Sequence, residues 1–147
     1  MKKYNLTPQE EETFCVCSCL QAIFRAEGTE MSQREISQKL TSLKEGFAMN
    51  DKRARKFLGK IGLDIIYFNY NSTPFNEPDI TLKEMANRKN HGIIGAKFHA
   101  SLLLEFKDPG LTLLDPKNCT IQETNLYSVI RYMNQFNSGG FGLIRRL

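Results

Sequence analysis

The apolar positions of this chain change rhythm along its length, from helical spacing in the first half to short alternating runs in the second. After a polar lead-in over residues 1–12, Phe14, Cys15, Cys19, Leu20, Ala22, Ile23 and Phe24 crowd the stretch from Thr13 to about Ala26 too densely for a surface loop. They predict a largely buried helix, with Gly28 placed to stop it. Ser32-Gln33-Arg34-Glu35 has the Ser-x-x-Glu form of a capping box. Ile36, Leu40 and Leu43 follow at helical spacing, so a second helix is expected to end near Lys44-Glu45-Gly46. Asp51 can cap a third helix running to about Ile61, closed by Gly62.

The run Leu63-Asp64-Ile65-Ile66-Tyr67-Phe68 is the first segment that reads as a strand. A long loop follows from Asn69 to Asp79, with Pro74 and Pro78, and is a candidate substrate-facing flap. Thr81-Leu82-Lys83-Glu84 offers a second capping box for a short helix to about Arg88. From Gly92 onward the expected strands are Gly92 to Phe98, Ala100 to Phe106 and Leu111 to Leu114, the last two joined through the turn Lys107-Asp108-Pro109-Gly110. A helix from about Gln122 to Asn134 and a strand from Gly140 to Arg145 complete the order. Helices first and antiparallel sheet second define an α+β chain, its N-terminal helices packed on a C-terminal sheet. With no internal repeat or composition break, residues 1–147 read as one domain.

Composition narrows the function classes. At 147 residues with 41% apolar and 24% charged positions, the chain has the balance of an ordinary globular domain with one core. The net charge of +4 is modest, and the basic stretch Lys52 to Lys60 is interrupted by Ala54, Phe57, Leu58 and Gly59. It reads as a solvated helix face, and no nucleic-acid partner is expected. No run approaches the length of a membrane span, and the two lysines near Met1 lead into polar and acidic residues where a secretory signal needs an apolar segment. A cytoplasmic location is the expectation.

Three of the four cysteines, Cys15, Cys17 and Cys19, lie two apart, a crowding that argues for reduced thiols. On a helix, alternate positions diverge by about 200°, so they do not converge on one ion and no metal is expected. Thiol catalysis is the sharper reading. A cysteine opening a helix has its pKa lowered by the helix dipole, and by a neighbouring imidazolium if one is present. Cys15 has that position, and only His91 and His99 can supply the ring. His91, between Asn90 and Gly92, reads as a solvated turn histidine. His99 lies between two strands, and the hairpin through Lys107 to Gly110 sets it beside Asp115. A carboxylate there accepts the imidazole N–H and turns the other ring nitrogen to the thiol. Gln9, six residues before Cys15, can add a side-chain N–H to the backbone N–H of Cys15 as an oxyanion hole. No cofactor is needed for such chemistry. Cys17 and Cys19 lack an equally placed glutamine, and Cys19 reads as packing. Cys119 reads as a loop or strand-end thiol, and the acidic run Glu10-Glu11-Glu12 could repel anions or attract a basic substrate segment.

Gln9, the helix beginning Cys15-Val16-Cys17-Ser18-Cys19-Leu20 and ending in Glu27-Gly28, the strand-borne His99, and Asp115-Pro116 occur in one order. Together they resemble the bacteriocin-processing double-glycine peptidases of the papain-like superfamily, from Gln9 to about Pro116. The resemblance implies a papain-like fold, a peptide or protein substrate, and Cys15, His99, Asp115 and Gln9 as nucleophile, base, orienting acid and oxyanion donor. Val16 departs from the pattern, since the family usually carries glycine after the nucleophile. A branched side chain there is expected to narrow the cleft or alter the approach to the oxyanion hole. A catalytically silent peptide-binding domain of the same fold and an acyl-transferring relative are the alternatives.

Overall fold

A computed structural model describes residues 1–40, 52–70 and 77–147. Helix α1 (Cys15–Ala26) is buried on nearly every side from Val16 to Phe24. A helix without a polar face belongs inside a core, which is what its composition demanded. It ends as a Schellman motif: Glu27 is the cap, Gly28 takes φ +86, Gly28 N–H donates to Arg25 O at 3.1 Å and Thr29 N–H to Phe24 O at 2.8 Å. Helix α2 (Gln33–Lys39) starts at the expected cap, where Ser32 Oγ accepts from the Glu35 N–H. Leu40 then turns extended, and the expected continuation to Gly46 lies outside the described residues, as does the Asp51 cap. Helix α3 spans Lys52–Gly59.

Strand β1 (Leu63–Asn69) follows, and residues 71–76 of the expected flap lie outside the described residues. Helix α4 (Pro78–Ala86) begins three residues earlier than expected. Pro78 sits in the first turn, where its missing N–H costs nothing, and Thr81 falls inside the helix with its hydroxyl bonded back to Glu77 O. Strands β2 (Asn90–Ala96), β3 (His99–Lys107) and β4 (Gly110–Asp115) form the expected meander. The helix expected from Gln122 is corrected. Thr120–Asn125 is a further strand, β5, and helix α5 (Leu126–Phe136) starts only after Asn125, whose side chain caps it by accepting from Ser128 N–H at 2.9 Å. Strand β6 (Gly140–Arg146) closes the chain.

The six strands form one antiparallel sheet in the order β1-β6-β2-β3-β4-β5. Neighbouring residues along the strands divide between two clusters, as the period of two requires. Ile93, Leu102 and Ile144 join the helices α1 to α3 in one cluster, while Ile94, Leu103 and Leu143 join α4 and α5 in the other. In the first, Phe24 and Phe57 meet edge to face at 5.8 Å, so Phe24→Ala is expected to cost about 4 kcal/mol. This packing sets the start of α1 against the start of β3 and the end of β4, and the candidate chemistry lies at that corner.

Candidate active site

Cys15 is the first residue of α1, two positions nearer the helix end than expected, so its sulfur sits where the helix dipole is most positive. His99 opens β3 and Asp115 closes β4, and their antiparallel pairing brings the two side chains together. His99 Nε2 and Asp115 Oδ1 are 2.6 Å apart. The carboxylate is held in turn by Lys117 N–H at 2.9 Å on Oδ1 and by Gln122 Nε2 at 3.0 Å on Oδ2. With Nε2 bound to Asp115, Nδ1 is the ring nitrogen left for the thiol, and Cys15 and His99 each shift the titration of the other.

The titration of these groups follows from those contacts. Burial by itself raises the Cys15 thiol, but hydrogen bonds from His99, Ala100 and Val16, with the charge on His99, outweigh it and hold the pKa below the ordinary 9.0. The Cys15 hydrogen bond, helped by Asp115 and opposed by burial, lifts His99 from 6.5 to about 9. Asp115 stays below its usual range: burial opposes ionisation, but the Lys117 N–H, His99 and Gln122 prevail. A thiol shifted down beside an imidazole shifted up is the condition for a thiolate–imidazolium pair at neutral pH.

The neighbouring thiols differ in kind. Burial pushes Cys17 up to about 12 and Cys19 well above its ordinary value, and it raises Cys119 as well. Cys19 is wholly buried, in keeping with the packing role expected of it. All four cysteines are free, and among the described residues no cluster of side chains is arranged to hold a metal ion. Val16 is 7% exposed and packs into the α1 cluster, so its branched side chain is taken up by the core and leaves little surface for a cleft.

Gln9 is brought to the same corner by its backbone, whose N–H donates to Pro116 O at 2.9 Å, next to Asp115. Its side chain is turned inward. Nε2 donates to Glu11 O at 3.2 Å and Glu12 O at 3.0 Å, and the buried Oε1 has no hydrogen-bond partner. Offering an N–H to an oxyanion therefore requires this amide to leave its own loop. The loop itself is anchored by Gln33, fully buried, which donates to Pro8 O at 3.0 Å and accepts from Glu10 N–H at 2.9 Å.

Sequence reasoning missed Gln122, because an exposed polar segment carries no mark of the strand that aims it at Asp115. It also misplaced His91. This residue is 8% exposed on β2, with Tyr4 Oη 2.7 Å from Nδ1 and Glu27 Oε1 2.8 Å from Nε2, while Arg146 Nε holds Glu27 Oε2 at 2.7 Å. It is a buried, fully partnered histidine rather than a solvated turn residue.

A six-stranded antiparallel sheet with the α1 cysteine abutting the first residue of a central strand is the papain-like peptidase fold. Two solved structures match it over nearly the whole of both chains. One is a double glycine motif protease from an AMS/PCAT transporter, solved in complex with the leader peptide, with TM-score 0.68 and 16% identity over 99% of this chain and 93% of that one. Another is the peptidase domain of Streptococcus ComA, a bi-functional ABC transporter of a quorum-sensing pathway, with TM-score 0.65 and 13% identity over 99% of this chain and 100% of that one. UfSP from C. elegans is also similar, with TM-score 0.55 and 15% identity over 98% of this chain but 32% of its own. No family model and no curated protein sequence matches the chain. Among the described residues, no helix is long and apolar enough to cross a membrane.

Proposed function

We propose that the chain is a cysteine peptidase in which Cys15, His99 and Asp115 act as nucleophile, acid–base and orienting carboxylate. The observation that carries this reading is the arrangement of a cysteine at a helix start with a histidine that opens β3 and is paired to Asp115 at 2.6 Å, in which the thiol is shifted down and the imidazole up. The Cys15 thiolate adds to the carbonyl carbon of a peptide bond, and the negative charge formed on the oxygen is met by the Cys15 backbone N–H and, after its amide turns, by Gln9. His99, protonated near neutral pH, gives its Nδ1 proton to the departing amine. The ring then takes a proton from water, which releases the acyl group and restores the thiol. Asp115 keeps the ring in one tautomer and orientation, as Gln122 and the Lys117 N–H keep Asp115.

One of the peptidase structures of similar fold is described as a double glycine motif protease bound to a leader peptide, and from that likeness a peptide cut after small residues is the substrate class we assign. One observation favours a silent peptide-binding domain instead, namely the Gln9 amide engaged with its own loop. Incubating the protein with a peptide mixture rich in Gly-Gly sequences, and reading products by mass spectrometry, separates the two. Cleavage by the wild type and none by Cys15→Ala supports the peptidase. Equal peptide binding by both with no cleavage by either sinks it and leaves the binding domain. Capture of the acyl group by an added amine instead of water identifies acyl transfer.

A further inference from the structure

A single buried side-chain amide holds the chain on both sides of Gln9. Gln33 opens α2 and is fully buried, and each of its side-chain hydrogen bonds reaches another part of the molecule. Its Nε2 donates to Pro8 O at 3.0 Å, Thr7 O at 3.2 Å and Gln21 Oε1 at 3.1 Å, and its Oε1 accepts from Glu10 N–H at 2.9 Å. Pro8 and Glu10, the residues on either side of Gln9, are thus tied to one planar group. Two further bonds fix the same stretch to the catalytic corner. Gln9 N–H donates to Pro116 O at 2.9 Å, next to Asp115, and the buried Ser18, one helical turn beyond Cys15, donates through Oγ to Thr7 O at 2.6 Å. Burying an amide is costly unless it is hydrogen-bonded, and an apolar side chain of the same size fills such a space without that cost. What the amide adds is a fixed path for residues 7–10.

We infer that Gln33 is a positioning residue for the oxyanion hole, which holds the backbone around Gln9 so that rotation of the Gln9 side chain alone brings its amide to the substrate carbonyl. This deepens the peptidase reading and rests on it. The resting pose of Gln9 is poorly satisfied: Nε2 binds the carbonyls of Glu11 and Glu12 in an exposed loop, while the buried Oε1 has no hydrogen-bond partner among the described residues. Turning the amide leaves two carbonyls that water can serve and frees a buried acceptor that water could not reach. A donor carried on a backbone fixed in advance needs little reorganisation when charge forms on the oxygen, which is the condition for an effective oxyanion hole.

The test compares two reactions of Cys15 at pH 6, both mapped by mass spectrometry. Alkylation by iodoacetamide is a displacement that forms no oxyanion. In acylation by 4-nitrophenyl acetate the thiolate adds to the carbonyl carbon, negative charge forms on the oxygen, and 4-nitrophenolate leaves as the thioester forms. Gln9→Ala is expected to slow acylation by about a hundredfold. Gln33→Met keeps the volume and removes the hydrogen bonds, and it is expected to slow acylation about tenfold with alkylation within about twofold of the wild type. The double variant is expected to fall no further than Gln9→Ala alone, because both changes act through one group. If Gln33→Met does not fold, Gln21→Met takes its place, removing one partner of the Gln33 amide, and is expected to slow acylation about threefold with alkylation kept. An unchanged ratio of the two reactions overturns the inference. Equal falls in both reactions overturn it and assign Gln33 to folding, and a full additive loss in the double variant overturns it by showing that Gln33 acts on something other than Gln9. Slow alkylation of wild-type Cys15 is a different failure, that of the peptidase reading beneath it.

Discussion

The molecule holds two histidine–carboxylate pairs of nearly equal length, and they are opposite in behaviour. His99 meets Asp115 at 2.6 Å and His91 meets Glu27 at 2.8 Å. His99 is lifted to about 9, whereas burial lowers His91 below 6.5 in spite of Glu27, with the charges of Lys2 and Arg146 acting in the same direction as burial. The difference lies on the other ring nitrogen and in the solvent. The His91 side chain is 10% exposed and its Nδ1 faces the Tyr4 hydroxyl, whose pKa burial pushes upward; the His99 side chain is 31% exposed and shares its proton with a thiol whose pKa is lowered. A carboxylate beside an imidazole therefore does not mark a catalytic site. In the proposed peptidase reading, what sets His99 apart is the lowered thiol of Cys15.

Breaking each pair in turn sharpens the contrast. His99→Ala is expected to slow Cys15 alkylation at pH 6 by about a hundredfold, because an ordinary thiol is under about 1% ionised there. His91→Ala is expected to leave that rate within about twofold but to destabilise the fold by about 2 kcal/mol, measured as a shift in the urea midpoint, since Tyr4 and Glu27 lose a buried partner. Asp115→Asn removes one of the causes that raise His99, so the alkaline limb of kcat/KM is expected to move to lower pH.

The stability of the fold as a function of pH separates the two rings further. For His91 the folded pKa lies below the unfolded 6.5, so below that pH the unfolded chain binds more protons than the native one. The stability contributed above 6.5 is thus lost as the pH falls through the folded value. Between pH 7 and 5, His91→Gln is expected to show a flatter fall in urea midpoint than the wild type. The smallest effect concerns Val16: replacing it with glycine is expected to cost about 2 kcal/mol through the lost packing and the glycine at a helix start, with no gain in Cys15 reactivity.

How far the chain could be read from its sequence depended on whether the signal was local. The buried α1, the Ser32 cap and the β3–β4 hairpin all rest on neighbouring residues, and the hairpin alone put His99 beside Asp115. Strand β5 was hidden because it lies at the sheet edge with mostly exposed polar side chains, which mimic a helix start. The start of α4 was legible in Pro78 but was outweighed by a capping-box pattern three residues later. His91 was beyond local reading, since its partners Tyr4 and Glu27 stand 87 and 64 residues away in the chain. Gln9 was read for its spacing to Cys15, and nothing in that spacing shows that its amide is bound to the carbonyls of Glu11 and Glu12.

The central claim is that Cys15 and His99 exist as a thiolate–imidazolium pair while His91 is a structural bystander. The direct measurement is the pH dependence of iodoacetamide labelling, mapped to each cysteine by mass spectrometry, in the wild type, His99→Ala and His91→Ala. Cys15 alone is expected to label fast at mildly acidic pH, with this phase abolished in His99→Ala and retained in His91→Ala. Labelling of Cys15 only near the ordinary thiol pKa of about 8.5, or equal losses in the two histidine variants, would contradict it.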